Sequence, residues 1–218
     1  MGNAIGGLLP FAVGVMVSPM PIVAAVLLLL TPRARANGLA FLAGWVGGIV
    51  GAGALLLALA GSAGASEQGE PAAWVSWLKL LLGVLLLVVA GRQWRGRSHA
   101  VATPKWMGAL DRFTPGKAAA TGVLLGTISP KNLLLIIGGA AAVAQTGVPA
   151  GQEAVAWAIF TAIASLGVGV PVAIHIAAGD RATATLDRIK GWMIQNNAVI
   201  IAVLCLVLAA KLIGDAIA

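Results

Sequence analysis

Residues 1–32 and 36–66 contain no Asp, Glu, Lys or Arg. Each run exceeds the ~20 apolar residues that a helix needs to cross a bilayer, so the chain has few soluble folds open to it. Composition agrees: 60% of the 218 residues are apolar, and the 29 Gly take that share to about 73%, against roughly 45–50% in a soluble domain. The chain is neither polar nor heptad-charged, which excludes disorder and coiled coil, and Cys205 as sole cysteine leaves no internal disulfide or thiolate zinc site. MGNAIGGLLP carries no basic residue ahead of its apolar stretch, so the first segment is expected to remain as a transmembrane helix rather than be cleaved as a secretory signal.

Apolar stretches bounded by charge, proline or polar clusters define six spans, near residues 4–30, 38–60, 72–91, 118–144, 154–178 and 195–216. Backbone amides must be paired inside a bilayer, and no stretch alternates at period two, so all six are expected to be helices. The expected fold class is all-α integral membrane, a single polytopic domain over residues 1–218. Its parts are a repeat over about 1–91, a basic inner loop over about 92–117 and a second repeat over about 118–218.

Charge distribution gives the topology. Of the 14 Lys and Arg, eleven fall in the first, third and fifth connections (Arg33, Arg35; Arg92, Arg95, Arg97, Lys105, Arg112, Lys117; Arg181, Arg188, Lys190) and none in the second or fourth. The positive-inside rule then puts both termini outside, and the net charge of +7 reports orientation rather than nucleic-acid binding. Trp74, Trp77 and Trp157 fall at predicted outer ends and Trp94, Trp106 and Trp192 at inner ones, as interface anchors do. In TPKWMGALDRF, Trp106, Met107, Leu110 and Phe113 recur at helical spacing behind Thr103 and Pro104, which predicts a short helix on the inner membrane surface.

Ser18-Pro19-Met20-Pro21 lies near the middle of the first span and Ser129-Pro130-Lys131-Asn132 near the middle of the fourth. Three spans per half is an odd number, so the halves should run in opposite directions. Matched interruptions in inverted halves are the plan of many secondary transporters, with a binding site where the broken helices meet. The alternative is that the prolines only kink two packed helices. Gly44, Gly47, Gly48, Gly51 and Gly53 in the second span, with Ser165, Gly167 and Gly169 in the fifth, are expected to allow close helix approach.

The segments SPMPIVAAVLLLLTPRARANGLAFLAGWVGG, PKWMGALDRFTPGKA and GTISPKNLLLIIGGA resemble, in collinear order, the GAP family of actinobacterial membrane proteins within the lysine-exporter (LysE) superfamily. The resemblance implies a six-helix inner-membrane protein associated with export of cell-envelope glycolipids, its relatives being sulfolipid-addressing or peptidoglycolipid-addressing. Electron-relaying members of the wider superfamily need paired intramembrane cysteines, where this chain has Ser18 and Ser129.

Lys131 is the one fixed charge expected deep in the membrane, and a buried cation in a bundle marks a functional site by default. Helices restarting at Pro19 and Pro130 expose unpaired N–H groups and positive dipole ends. Together with Asn132, Ser18 and Ser129, with Pro21 in the same turn, they favour an anion. The competing reading is that Lys131 bonds carbonyls freed by the break. No Asp or Glu lies deep within a span, which argues against a carboxylate-lined cation path, and no His, Cys or carboxylate constellation supports catalysis or metal binding. His175 could carry a coupling proton, or be structural. Lys79 and Lys211 are expected to snorkel to water at the outer face. The basic third connection could gather anionic lipid, although orientation alone would account for it.

The function expected is outward transport of an anionic amphiphile, a cell-envelope glycolipid or its precursor, without cofactor and without enzymatic activity. Two other readings stay open: export of a small amino-acid-like solute, and a membrane scaffold for lipid-synthesis or export machinery. Expected partners are membrane lipids, the lipid substrate and, through glycine-lined faces, a second copy of the chain; nucleic acid is excluded. The chain has no GxxxxGK loop, so it does not itself hydrolyse ATP.

Overall fold

A proline at the first turn of a helix is tolerated, but in mid-helix it removes a hydrogen bond and crowds the carbonyl four residues back. The computed structural model describes residues 1–62, 66–67, 70–71, 73–96 and 113–217, and it breaks two spans at such prolines. The first is α1 (Gly2–Met16) and α2 (Pro19–Leu29), bent by 49°; the fourth is α5 (Pro115–Thr127) and α6 (Pro130–Ala144), bent by 63°. Four uninterrupted helices are long and apolar enough to cross a membrane: α3 (Ala34–Ser62), α4 (Ala73–Gly96), α7 (Ala150–Ala178) and α8 (Thr183–Ile217). With each bent pair as one span the count reaches six, in an all-α membrane protein. A two-residue ladder, β1 (Ser66–Glu67) against β2 (Glu70–Pro71), lies in the connection between α3 and α4.

Between helices in lipid there is little hydrophobic gain, so close packing has to hold the bundle. α3 lies on α5, α4 on α8, and α7 against both α1 and α3. A Cβ at Gly44 would fall 2.0 Å from the Ala119 carbonyl oxygen, and one at Gly167 would fall 1.9 Å from that of Met16. Both glycines are therefore obligatory for backbone-to-backbone approach. Gly47 and Gly51 meet nothing within 4 Å, and they face away from this seam.

Several expectations change. Helix α8 starts at Thr183, about three turns before the predicted span, so Arg188 and Lys190 sit on a helix rather than in a loop. Its polar start is held by Leu186, buried against Val26, Leu29 and Val172, and by the Lys190–Asp187 pair at 2.6 Å. A search for apolar runs cannot see such an extension. Trp157 is not an interface anchor: it is buried, donates to the Ile49 carbonyl at 3.1 Å, stacks on Phe160 and fills the space left by Gly53. Trp74, Trp77, Trp94 and Trp192 are exposed, as anchors should be. Lys79 is largely buried, 7% exposed, within the field of Lys211 and Asp215 on α8, which pair with each other. The surface helix expected around Trp106 lies outside the described residues, apart from Phe113, which packs on the core.

The seam between α3 and α5 sets a stability test. Gly44→Ala should lower the melting temperature in detergent, overpacking costing about 1–3 kcal/mol, whereas Gly47→Ala should leave it unchanged or raise it. Equal melting of the two variants would show that the seam is looser than described.

Candidate functional site

The residue before a proline is pushed out of the α region. Ser18 accordingly sits at φ −78°, ψ 110° and Ser129 at φ −57°, ψ 124°, each extended for one residue between two helices. At the first break the Ser18 N–H turns to the Val15 carbonyl at 3.1 Å, which takes it from the Gly14 carbonyl that a continuous helix would have paired with it. Lys131 fills that vacancy, its Nζ donating to the Gly14 oxygen at 2.8 Å. At the second break the corresponding carbonyl, Leu125, four residues before Ser129, accepts from Asn132 Nδ2 at 3.0 Å. Asn132 Oδ1 in turn accepts from Ser18 Oγ at 2.7 Å. Because a carbonyl can only accept, this is the amide orientation that serves both partners.

Two consecutive residues of the second motif thus close both breaks and join them. Ser18, Lys131 and Asn132 are 3%, 6% and 0% exposed, so each bond replaces a polar group that would otherwise lie bare, at about 1–3 kcal/mol. The ammonium keeps two further N–H donors beyond the one given to Gly14. Around it are Leu135 and Leu208, which crowd Gly14, and the buried Cys205 thiol, close enough on α8 to feel the charge.

The remaining predicted residues divide. Pro19 and Pro21 are buried in the first turn of α2. Ser129 is half-buried and Pro130 exposed, and neither joins the network, so the two serines are not equivalent: Ser18 faces the junction and Ser129 does not. His175 stands at the far end of α2, roughly 16 Å away along an 11-residue helix at 1.5 Å per residue. Asn37 was not singled out from the sequence, although an amide near the start of the second charge-free run was the available signal. It is 1% exposed and its Nδ2 donates to Thr31 Oγ1 at 3.4 Å and to the Phe113 carbonyl at 3.2 Å. Among the described residues, no three His, Cys, Asp or Glu side chains gather to hold a metal ion.

The junction generates a double-mutant cycle. Ser18→Ala, Asn132→Ala and their combination should give a coupling free energy of about 0.6 kcal/mol, with about 1.7 as ceiling, the range of hydrogen bonds between membrane helices. Additive effects on unfolding would mean that the two breaks are not tied through this pair.

Residues 8–218 match the family model described as Sap, sulfolipid-1-addressing protein. No curated protein and no solved structure matches the chain. The match spans both broken helices, the junction they form and the four long helices around them, and it agrees with the resemblance carried by the two Ser-Pro segments. The chain belongs to the sulfolipid-1-addressing protein family.

Proposed function

We propose that this protein moves an anionic amphiphile, a sulfated cell-envelope glycolipid or its precursor, outward across the cytoplasmic membrane, as a transporter and not an enzyme. The observation that carries the reading is the junction of two broken helices closed by a buried ammonium: a cation with two spare donors, inside an apolar bundle, suits a sulfate or phosphate oxygen. The family description supplies the sulfolipid.

An inverted repeat is the architecture that would let this junction open to either side. In its support, exchanging α1 with α5, α2 with α6, α3 with α7 and α4 with α8 maps most of the helix pairings onto one another, although α1–α6 is far more extensive than α2–α5 and α1–α8 has no comparable α4–α5 counterpart. α1–α7 goes to α5–α3, α2–α7 to α6–α3, and α2–α8 to α6–α4, while α3–α7 and α4–α8 map onto themselves. Three spans per half make the halves antiparallel, as in alternating-access transporters. The Lys and Arg bias favours both termini outside.

Two measurements test this. In a Cys205→Ser background, an impermeant thiol reagent added to intact cells should label Ala150→Cys, next to the α6–α7 connection, and not Ala184→Cys at the start of α8; the reverse pattern would overturn the orientation.

In liposomes, protein carrying Lys131→Gln, whose amide keeps N–H donors for the Gly14 carbonyl on a shorter stem, should insert and melt within a few degrees of wild type yet move a sulfated glycolipid about 10–150-fold more slowly. That is the loss of one charge-assisted hydrogen bond of roughly 1.5–3 kcal/mol. Lys131→Arg should recover part of the rate. Normal transport by Lys131→Gln would make the lysine a cap on the broken helix and nothing more.

A further inference from the structure

The connection between α2 and α3 carries Thr31-Pro32-Arg33-Ala34-Arg35 at the end of the bundle opposite the chain termini. It is held in shape from inside: Thr31 Oγ1 donates to the Leu28 carbonyl at 2.7 Å, and the buried Asn37 amide donates to Thr31 Oγ1. Between this connection, the last turns of α7 and the first residue of α8 lies a cavity of about 600 Å³, lined by Arg33, Arg35, His175, Thr31 and Thr183 and walled by Leu29 and Leu30. That volume is within the range of small-ligand sites.

Three independent features of this cavity ask for an anion. Arg33 and Arg35 present two guanidinium groups, and among the described residues neither has an ion-pair partner. Guanidinium is the side chain best matched to two oxygens of one sulfate or phosphate. The 29-residue α3 begins at Ala34, so Arg35 and Ala36 fall in a first turn whose N–H groups point outward along the helix axis. His175 is 8% exposed, lines the cavity, and its buried Nδ1 has no hydrogen-bond partner. A buried imidazole nitrogen without a partner is costly, and an anion in the cavity would relieve it. The apolar wall decides between sources: Leu30 is exposed beside the cavity, which suits an anion whose alkyl chains remain in the bilayer rather than a free ion.

We infer that this cavity binds the sulfate or phosphate headgroup of an anionic lipid, at a site separated from the junction by the length of α2. It rests on the transport reading only for its role as the place where substrate is taken up; binding itself does not require transport.

The test uses the whole protein in phosphatidylcholine nanodiscs containing sulfatide, a sulfated galactosylceramide, with bound lipid counted by native mass spectrometry. Arg33→Gln/Arg35→Gln should retain sulfatide at least about tenfold more weakly, and His175→Phe should weaken it at unchanged melting temperature. Arg92→Gln/Arg95→Gln, which removes the same two charges elsewhere, should bind like wild type, and unsulfated galactosylceramide should not be retained. Equal loss in both double variants, or undiminished binding by Arg33→Gln/Arg35→Gln and by His175→Phe, would overturn the site. Full displacement of sulfatide by millimolar inorganic sulfate would overturn the lipid assignment in favour of a free anion. Sulfatide bound by wild type and by Lys131→Gln, with no lipid moved by either, would leave the site standing and remove the transport reading; transport with no binding at Arg33 and Arg35 would do the opposite.

Discussion

A carbonyl released by a broken helix inside a bilayer has no water to turn to, and the arrangement of this protein follows from how two such carbonyls are served. Gly14 and Leu125 occupy the same place relative to their serines, and each is taken by a side chain of the adjacent pair Lys131 and Asn132. That solution requires α6 to lie against α1, which in turn needs α7 to come within backbone distance of Met16 at Gly167. The glycine seams are therefore not general lubricant for helix packing. They set the approach at which a lysine stem spans from one break to the other.

Legibility in the sequence followed the reach of each signal. Spans, their number and the two interruptions could be read because hydropathy and proline act locally, within a turn or two. What lay beyond was any property that depends on which face meets which neighbour. Lys131 was recognisable as a buried cation, but not that its first partner would be a carbonyl 117 residues away. Ser18 and Ser129 look alike in the chain, and only packing separates the one turned inward from the one left aside. Trp157 carries the same signature as a belt tryptophan until Gly53 is seen to make room for it. The polar start of α8 and the burial of Lys79 were hidden for a related reason: apolarity marks the lipid-facing part of a helix, not its ends or its contacts.

The two connections that the proposed repeat would make equivalent differ in charge. Thr31-Pro32-Arg33-Ala34-Arg35 joins α2 to α3, whereas Thr146-Gly147-Val148-Pro149 joins α6 to α7 with no ionisable residue. In the proposed cycle an anion meets a basic mouth at one end and a neutral one at the other, with a single ammonium between. Capture and release would then differ in strength although the helices that frame them are alike. On that proposal, an architecture of two similar halves would acquire a sense of direction from side chains on its connections.

The bonds that join the breaks also govern the order in which the protein can be made. Everything that pairs with Gly14 and with the Ser18 hydroxyl belongs to α6, which leaves the ribosome more than a hundred residues after α1. At about 5–20 residues per second, the first bent span must wait on the order of ten seconds with its carbonyl unserved. During that interval the early half of the chain is an incomplete membrane protein, dependent on lipid headgroups, the insertion machinery or a shallower position for the missing donor. Assembly is thus completed from the second half backwards, with the Ser-Pro-Lys-Asn segment bringing the donors that the first break lacks and α7 following to hold them in place.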